Sequence, residues 1–222
     1  MTNLRLSQFR AAIFDLDGTL VLSEPAWELA KRRVLDTLGV TVPHKVYAAF
    51  VGRGVRGFLT HVLGSELSDA RCAELVHLIG AEADILLPQM RQCIPGASDA
   101  VKWLASEGLR VAVCSSSPRR HIYAALAQLG LTDCVSVIVS GAELSKGKPD
   151  PLPYLETLRQ LNHLSAAEAF CVEDALPGVL SARAAGLMVI GIGDECLKPE
   201  FAPLCRHRLR NYQEFNLLFA NS

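Results

Sequence analysis

Ala11-Ala12-Ile13-Phe14-Asp15-Leu16-Asp17-Gly18-Thr19-Leu20 is the stretch that decides the fold. Four apolar residues in a row read as a strand buried on both faces, the kind found in parallel sheets. Two carboxylates two residues apart follow at once, and then a glycine. A strand that ends in carboxylates belongs at the carboxyl edge of an open α/β sheet, where ligands bind. Crowding two carboxylates costs free energy unless a cation or a shared proton relieves the repulsion. The stretch suits a nucleophile and an acid/base grouped around Mg²⁺, although a turn with an Asx cap would also account for it.

Working outward, four further apolar runs rich in β-branched residues read as buried parallel strands: 109–114, 135–139, 169–172 and 187–192. Helical segments alternate with them. One starts with Ser98 as N-cap and stops at Gly108, and a second starts at Ser117 with Pro118 in its first turn and ends at Gly130. A third runs from near Pro177 to Gly186. Strand-then-helix alternation predicts a doubly wound α/β sheet. Residues 24–92 differ. They show no convincing strand, and Trp27, Ala30, Val34, Leu35 and Leu38, then Leu75, Leu78 and Ile79, recur at helical spacing. Such a gap after the first strand is too long for an ordinary connection and predicts an inserted helical unit. Its hinges are expected at 22–24 and 92–96.

Three more groups of polar residues fall at predicted strand ends. Ser115, Ser116 and Ser117 lead straight into a helix, offering hydroxyls and free N–H groups to an anion. Lys148-Pro149-Asp150-Pro151 puts a lysine in a stiffened loop, and Glu173-Asp174 adds carboxylates of the kind a hard cation prefers. Each has a bland reading as a loop or solvated turn. Together they bring cation ligands, hydroxyls and an ammonium to one sheet edge, which suits phosphoryl transfer by positioning and charge neutralisation.

Asp15-Leu16-Asp17-Gly18-Thr19, Ser115, Lys148 and Glu173-Asp174, in this order, resemble the four motifs of the haloacid dehalogenase superfamily across essentially the whole chain. The resemblance implies an α/β fold, a Rossmann-like doubly wound parallel sheet core (1–22 and 93–222) with an inserted helical cap (23–92). It implies that Asp15 attacks phosphorus and ligates Mg²⁺, and that Asp17 is the acid/base, its carbonyl touching the metal. Ser115, with Ser116 beside it, and Lys148 would hold phosphoryl oxygens. Asp174 would complete the metal site, with Glu173 on the metal or one step behind it. Lys146 competes with Lys148, but the family's lysine directly precedes a proline, as Lys148 does. Asp17 argues against dehalogenase chemistry, which needs no acid there and no Mg²⁺.

Ser23-Glu24-Pro25-Ala26-Trp27 and Ser115-Ser116-Ser117-Pro118 are similar to hexitol and 2-deoxyglucose-6-phosphate phosphatases. β-Phosphoglucomutases of the same branch carry a histidine where this chain has Trp27, which disfavours an isomerase; Trp27 could equally be packing between cap and core. The expected activity is hydrolysis of a small sugar or polyol phosphate. Gly52-Arg53-Gly54-Val55-Arg56-Gly57 departs from the family's Gly-x-Ser/Thr turn, and Arg53 and Arg56 suit a more anionic substrate such as phosphoglycolate or a bisphosphate, although a flexible turn with solvated arginines would also account for them. A receiver domain that merely accepts phosphate also uses strand-end carboxylates, but it has no such insertion.

Composition sets the outer bounds. The 222 residues are 50% hydrophobic and 20% charged, which excludes disorder, and the net charge of −1 leaves no field to hold nucleic acid or an anionic membrane. Asp15 and Asp17 interrupt the first apolar run before a signal peptide could develop. Seven cysteines without a C-x-x-C pair fit a reducing cytoplasm. A monomer or weak dimer is expected. The basic cluster Arg206, His207, Arg208 and Arg210 reads as surface.

Overall fold

The computed structural model describes residues 4–64 and 67–219. In chain order the strands are β1 (Ala11–Phe14), β2 (Val21–Leu22), β3 (Gln92–Cys93), β4 (Arg110–Ser115), β5 (Val135–Ser140), β6 (Ala169–Glu173), β7 (Met188–Ile192) and β8 (His207–Leu209). Six of them form one wholly parallel sheet in the order β5-β4-β1-β6-β7-β8. Strands added first to one side of β1 and then to the other make it doubly wound. Phe14 pairs in register with Val113 of β4 and Val172 of β6. Asp15, Ser115 and Glu173 therefore leave the sheet at one edge.

Alternation along each strand sorts the core into two layers. Ala12, Phe14, Val113 and Val172 pack with α5 (Ala97–Ser106), α6 (Arg119–Leu129) and α9 (Tyr212–Leu218). Ile13, Cys114 and Cys171 pack with α7 (Leu152–Gln160) and α8 (Leu176–Ala184). Burying both faces explains why these strands read as unbroken apolar runs.

Between β2 and β3, which pair antiparallel, stand α1 (Glu24–Asp36), α2 (His44–Ala49), α3 (Gly54–Leu63) and α4 (Asp69–Met90). They enclose an apolar cluster of their own built on Trp27, Leu35, Phe58, Leu75 and Ile79. Full burial of such side chains contributes about 1.5–3 kcal/mol each. None of the helices among the described residues is long and apolar enough to cross a membrane.

Local details depart from expectation. Gly96, not Ser98, precedes α5: its φ of 81° is cheap only for glycine, and a β-carbon there would stand 2.9 Å from that of Tyr212. Pro118 is the residue before α6 rather than its first turn. The basic cluster near the C-terminus is not all surface, because residues 207–209 form the edge strand β8 and His207 is buried. Three residues are too few for periodicity to betray a strand.

Candidate active site

The backbone after β1 turns through Gly18, at φ 90°, where any side chain would overlap the carboxylate of Asp174. That close approach brings the two acidic motifs together. Oxygens of Asp15, Glu173 and Asp174 all lie within 4.8 Å of one another, with Asp15 and Glu173 buried. Burial pushes the carboxyl of Asp15 well up, with Lys148 opposing and Glu173 and Asp17 adding to it; burial likewise raises Asp174, with Asp15 and Glu173 adding. Three close oxygen donors with excess negative charge fit a hard divalent cation such as Mg²⁺. The carboxylate of Asp17 is not in this group.

Lys148 supplies the fixed positive charge. Its Nζ donates to Asp15 Oδ1 at 2.5 Å, to Glu173 Oε1 at 2.7 Å and to the Cys114 carbonyl at 2.9 Å. Burial acts to lower its pKa, but the carboxylates of Asp15 and Glu173 outweigh burial and hold it well above the ordinary lysine value. Lys146, by contrast, is exposed and pairs with Asp150 at 3.3 Å. Glu173 is held in turn by the buried hydroxyl of Tyr154, which donates to the same Oε1. Gly178, in the first turn of α8, leaves room for that carboxylate, since a β-carbon there would overlap it.

Asp17 is gripped differently. Ser117 Oγ donates to its Oδ2 at 2.6 Å, Ser115 Oγ to the same oxygen at 3.2 Å, and Ser23 Oγ to Oδ1. The Ser115 hydroxyl also accepts from the Ser117 amide at 3.0 Å. Ser116 Oγ donates across to the Gly52 carbonyl at 3.0 Å, so the serine loop touches the helical insertion. A cavity of about 570 Å³ lies there, lined by Trp27, Arg53, Arg56, Ser116 and Lys148 among others.

Residues 9–186 match the sequence profile of the haloacid dehalogenase-like hydrolases. The chain belongs to that family. Among its relatives, validoxylamine A 7'-phosphate phosphatase of Streptomyces hygroscopicus subsp. limoneus is 31% identical, the match covering 83% of this chain and 85% of the relative. Hexitol phosphatase B of Escherichia coli K12 is 28% identical over 82% of this chain and 83% of its own. In fold, a β-phosphoglucomutase from Clostridium difficile superposes with a TM-score of 0.83 at 18% identity, covering 96% and 97% of the two chains. This haloacid dehalogenase-like hydrolase is a phosphoric monoester hydrolase.

In this hydrolase, Asp15, Lys148, Glu173 and Asp174 converge on one point, with Asp17 and Ser115 bonded to each other beside it. Arg53 and Arg56 line the neighbouring cavity along with Lys148. Both are exposed at the rim, Arg53 lying 5.5 Å from the Phe50 ring and Arg56 standing 3.9 Å from Asp69. Trp27 packs its ring against His121 at 5.1 Å.

Sequence reasoning missed Ser117 as a partner of Asp17, having offered its hydroxyl to an anion and to the start of a helix, and it missed Tyr154. It also passed over Lys31, which is buried, and the bond across α4 and α6 in which His121 Nε2 meets Asp84 Oδ1 at 2.5 Å. Glu24, Trp27 and Lys31 do fall at i, i+3 and i+7, one helix face, which is a readable signal.

Proposed function

We propose that this hydrolase releases phosphate from a small sugar or polyol phosphate monoester, with Mg²⁺, through an aspartyl-phosphate on Asp15. The observation that carries the reading is Asp15 itself: buried, fixed through Oδ1 by Lys148, and within 4.8 Å of carboxylate oxygens of Asp174 and Glu173. Asp15 attacks phosphorus, forming an Asp15 O–P bond as the sugar oxygen departs. Asp17 gives that oxygen a proton. It then takes a proton from a water that attacks phosphorus and breaks the O–P bond, yielding inorganic phosphate and free Asp15. Ser115 exchanges its bond to Asp17 for a phosphoryl oxygen as substrate enters, and Ser116 does the same with Gly52. Lys148 neutralises phosphoryl charge while keeping Asp15 aimed. Asp15 and Asp174, with Glu173 behind them and the main chain of Asp17 beside, would hold Mg²⁺, which supplies further neutralisation of the phosphoryl oxygens.

Residues 23–92 act as a cap on the core formed by 1–22 and 93–222. Closure excludes water while the leaving group departs. A cytoplasmic monomer or weak dimer suits this role. A second reading, hydrolysis of a more anionic metabolite such as phosphoglycolate, draws support from Arg53 and Arg56 on the 570 Å³ cavity. A sugar phosphomutase is disfavoured by Trp27.

The test is phosphate release across sugar, polyol and acid phosphates, with Mg²⁺ and after chelation, for the wild type and Asp15→Asn. Release that needs Mg²⁺ and vanishes in the variant is expected. Turnover retained by Asp15→Asn would contradict the mechanism.

A further inference from the structure

The helical insertion buries an ammonium in the wall of the site that the proposed reaction does not use. Lys31 of α1 is 5% exposed. Among the described residues its ion-pair partner is Glu24, 3.8 Å away and beyond hydrogen-bond reach, and its Nζ otherwise sits 5.3 Å from the centre of the Phe58 ring. Lysine is seldom buried so far without a close partner, because a charge taken from water needs compensation. Glu24, Trp27 and Lys31 line a small cavity of about 50 Å³ together with Asp17, Ser116 and Ser117. Asp17 is the group that protonates the leaving oxygen, so this cavity marks where the leaving group begins.

We infer that Lys31 and Glu24 together read the leaving group, and that they select a hydroxyl-rich sugar or polyol over a second anion. This rests on the phosphatase reading above. A hydroxyl donates and accepts at once, so it satisfies the Glu24 carboxylate and the Lys31 ammonium together. A carboxylate or second phosphate would meet Lys31 but also face the Glu24 carboxylate, of its own sign. Trp27 and Phe50 line the same cavity and offer flat apolar surfaces to the C–H faces of a sugar. Arg53 and Arg56 do not line it; they stand on the larger neighbouring cavity. A space of about 50 Å³ takes only the first atoms of the leaving group, those nearest Asp17.

The experiment uses the full chain with Mg²⁺ and compares wild type, Lys31→Met and Glu24→Gln. The substrates are sorbitol 6-phosphate, glucose 6-phosphate, 2-phosphoglycolate and p-nitrophenyl phosphate. Methionine keeps the length and apolar stem of lysine, so packing inside the insertion is retained. Wild-type kcat/KM is expected to be roughly tenfold or more higher for the better of the two hydroxylated substrates than for 2-phosphoglycolate. Each variant should lower kcat/KM on that substrate about tenfold more than on p-nitrophenyl phosphate, chiefly through KM. A wild-type preference for 2-phosphoglycolate overturns the inference and leaves the phosphatase reading standing. So do variants that lose activity equally on all substrates. No phosphate release by wild type from any of the four overturns both.

Discussion

The Nζ of Lys148 lies 2.5 Å from Oδ1 of Asp15, joining two residues 133 positions apart at the centre of the sheet edge. The same ammonium holds Glu173, so one cation balances two buried carboxylates. Lys148→Met should therefore remove both positioning and charge. Phosphate release is expected to fall by at least ~10²-fold. Stability should drop by about 3–5 kcal/mol, the usual cost of leaving buried charge without its partner. Steady-state kinetics and denaturant unfolding measure the two effects.

Gly178 separates site geometry from helix propensity. Alanine is favoured over glycine within a helix by about 1 kcal/mol, so Gly178→Ala would stabilise α8 if nothing stood in the way. Its β-carbon would overlap the Glu173 carboxylate, which must then leave Lys148 and Tyr154. The expected outcome is a loss of kcat of about tenfold or more with no gain in melting temperature. A variant that is more stable and fully active would show that the Glu173 position is dispensable.

Burial lowers the pKa of His121, and this outweighs its bond to Asp84 and the pull of Asp17; Arg120 adds to the lowering. The unfolded chain, with histidine near 6.5, then binds the proton more readily than the folded one. Stability contributed by neutral His121 is thus present above about pH 6.5 and is lost as pH falls below it. Denaturation midpoints should decline from pH 7 to 5 in the wild type. The gap between wild type and His121→Gln should narrow over that range, and a gap that widens on acidification would reverse the sign assigned here.

Much of the site was legible because its residues sit one or two positions beyond apolar strands. Asp15, Ser115, Glu173 and Asp174 needed only the strand ends and the parallel sheet to be placed together, and the proline after Lys148 separated it from Lys146. What escaped depends on contacts between elements far apart in sequence. Tyr154 meets Glu173 only because α7 and β6 pack in one layer, and Asp84 meets His121 only where the insertion rests on α6. Lys31 looked like one more charge on an amphipathic helix. Its Nζ lies over the ring of Phe58, a residue of another helix, which no local pattern reports. Arg53 and Arg56, singled out by their glycine-rich turn, stand exposed on the cavity that Ser116 and Lys148 also line.

On the proposed mechanism Asp15 carries the phosphoryl group in the course of turnover. Acid quench during turnover of a phosphoryl-labelled substrate with Mg²⁺, followed by peptide mapping, tests it most directly. Label on the peptide containing Asp15, at an acid-stable and hydroxylamine-labile linkage and missing from Asp15→Asn, is the predicted result. Turnover with no label on that peptide, or with label on another residue, would contradict the account.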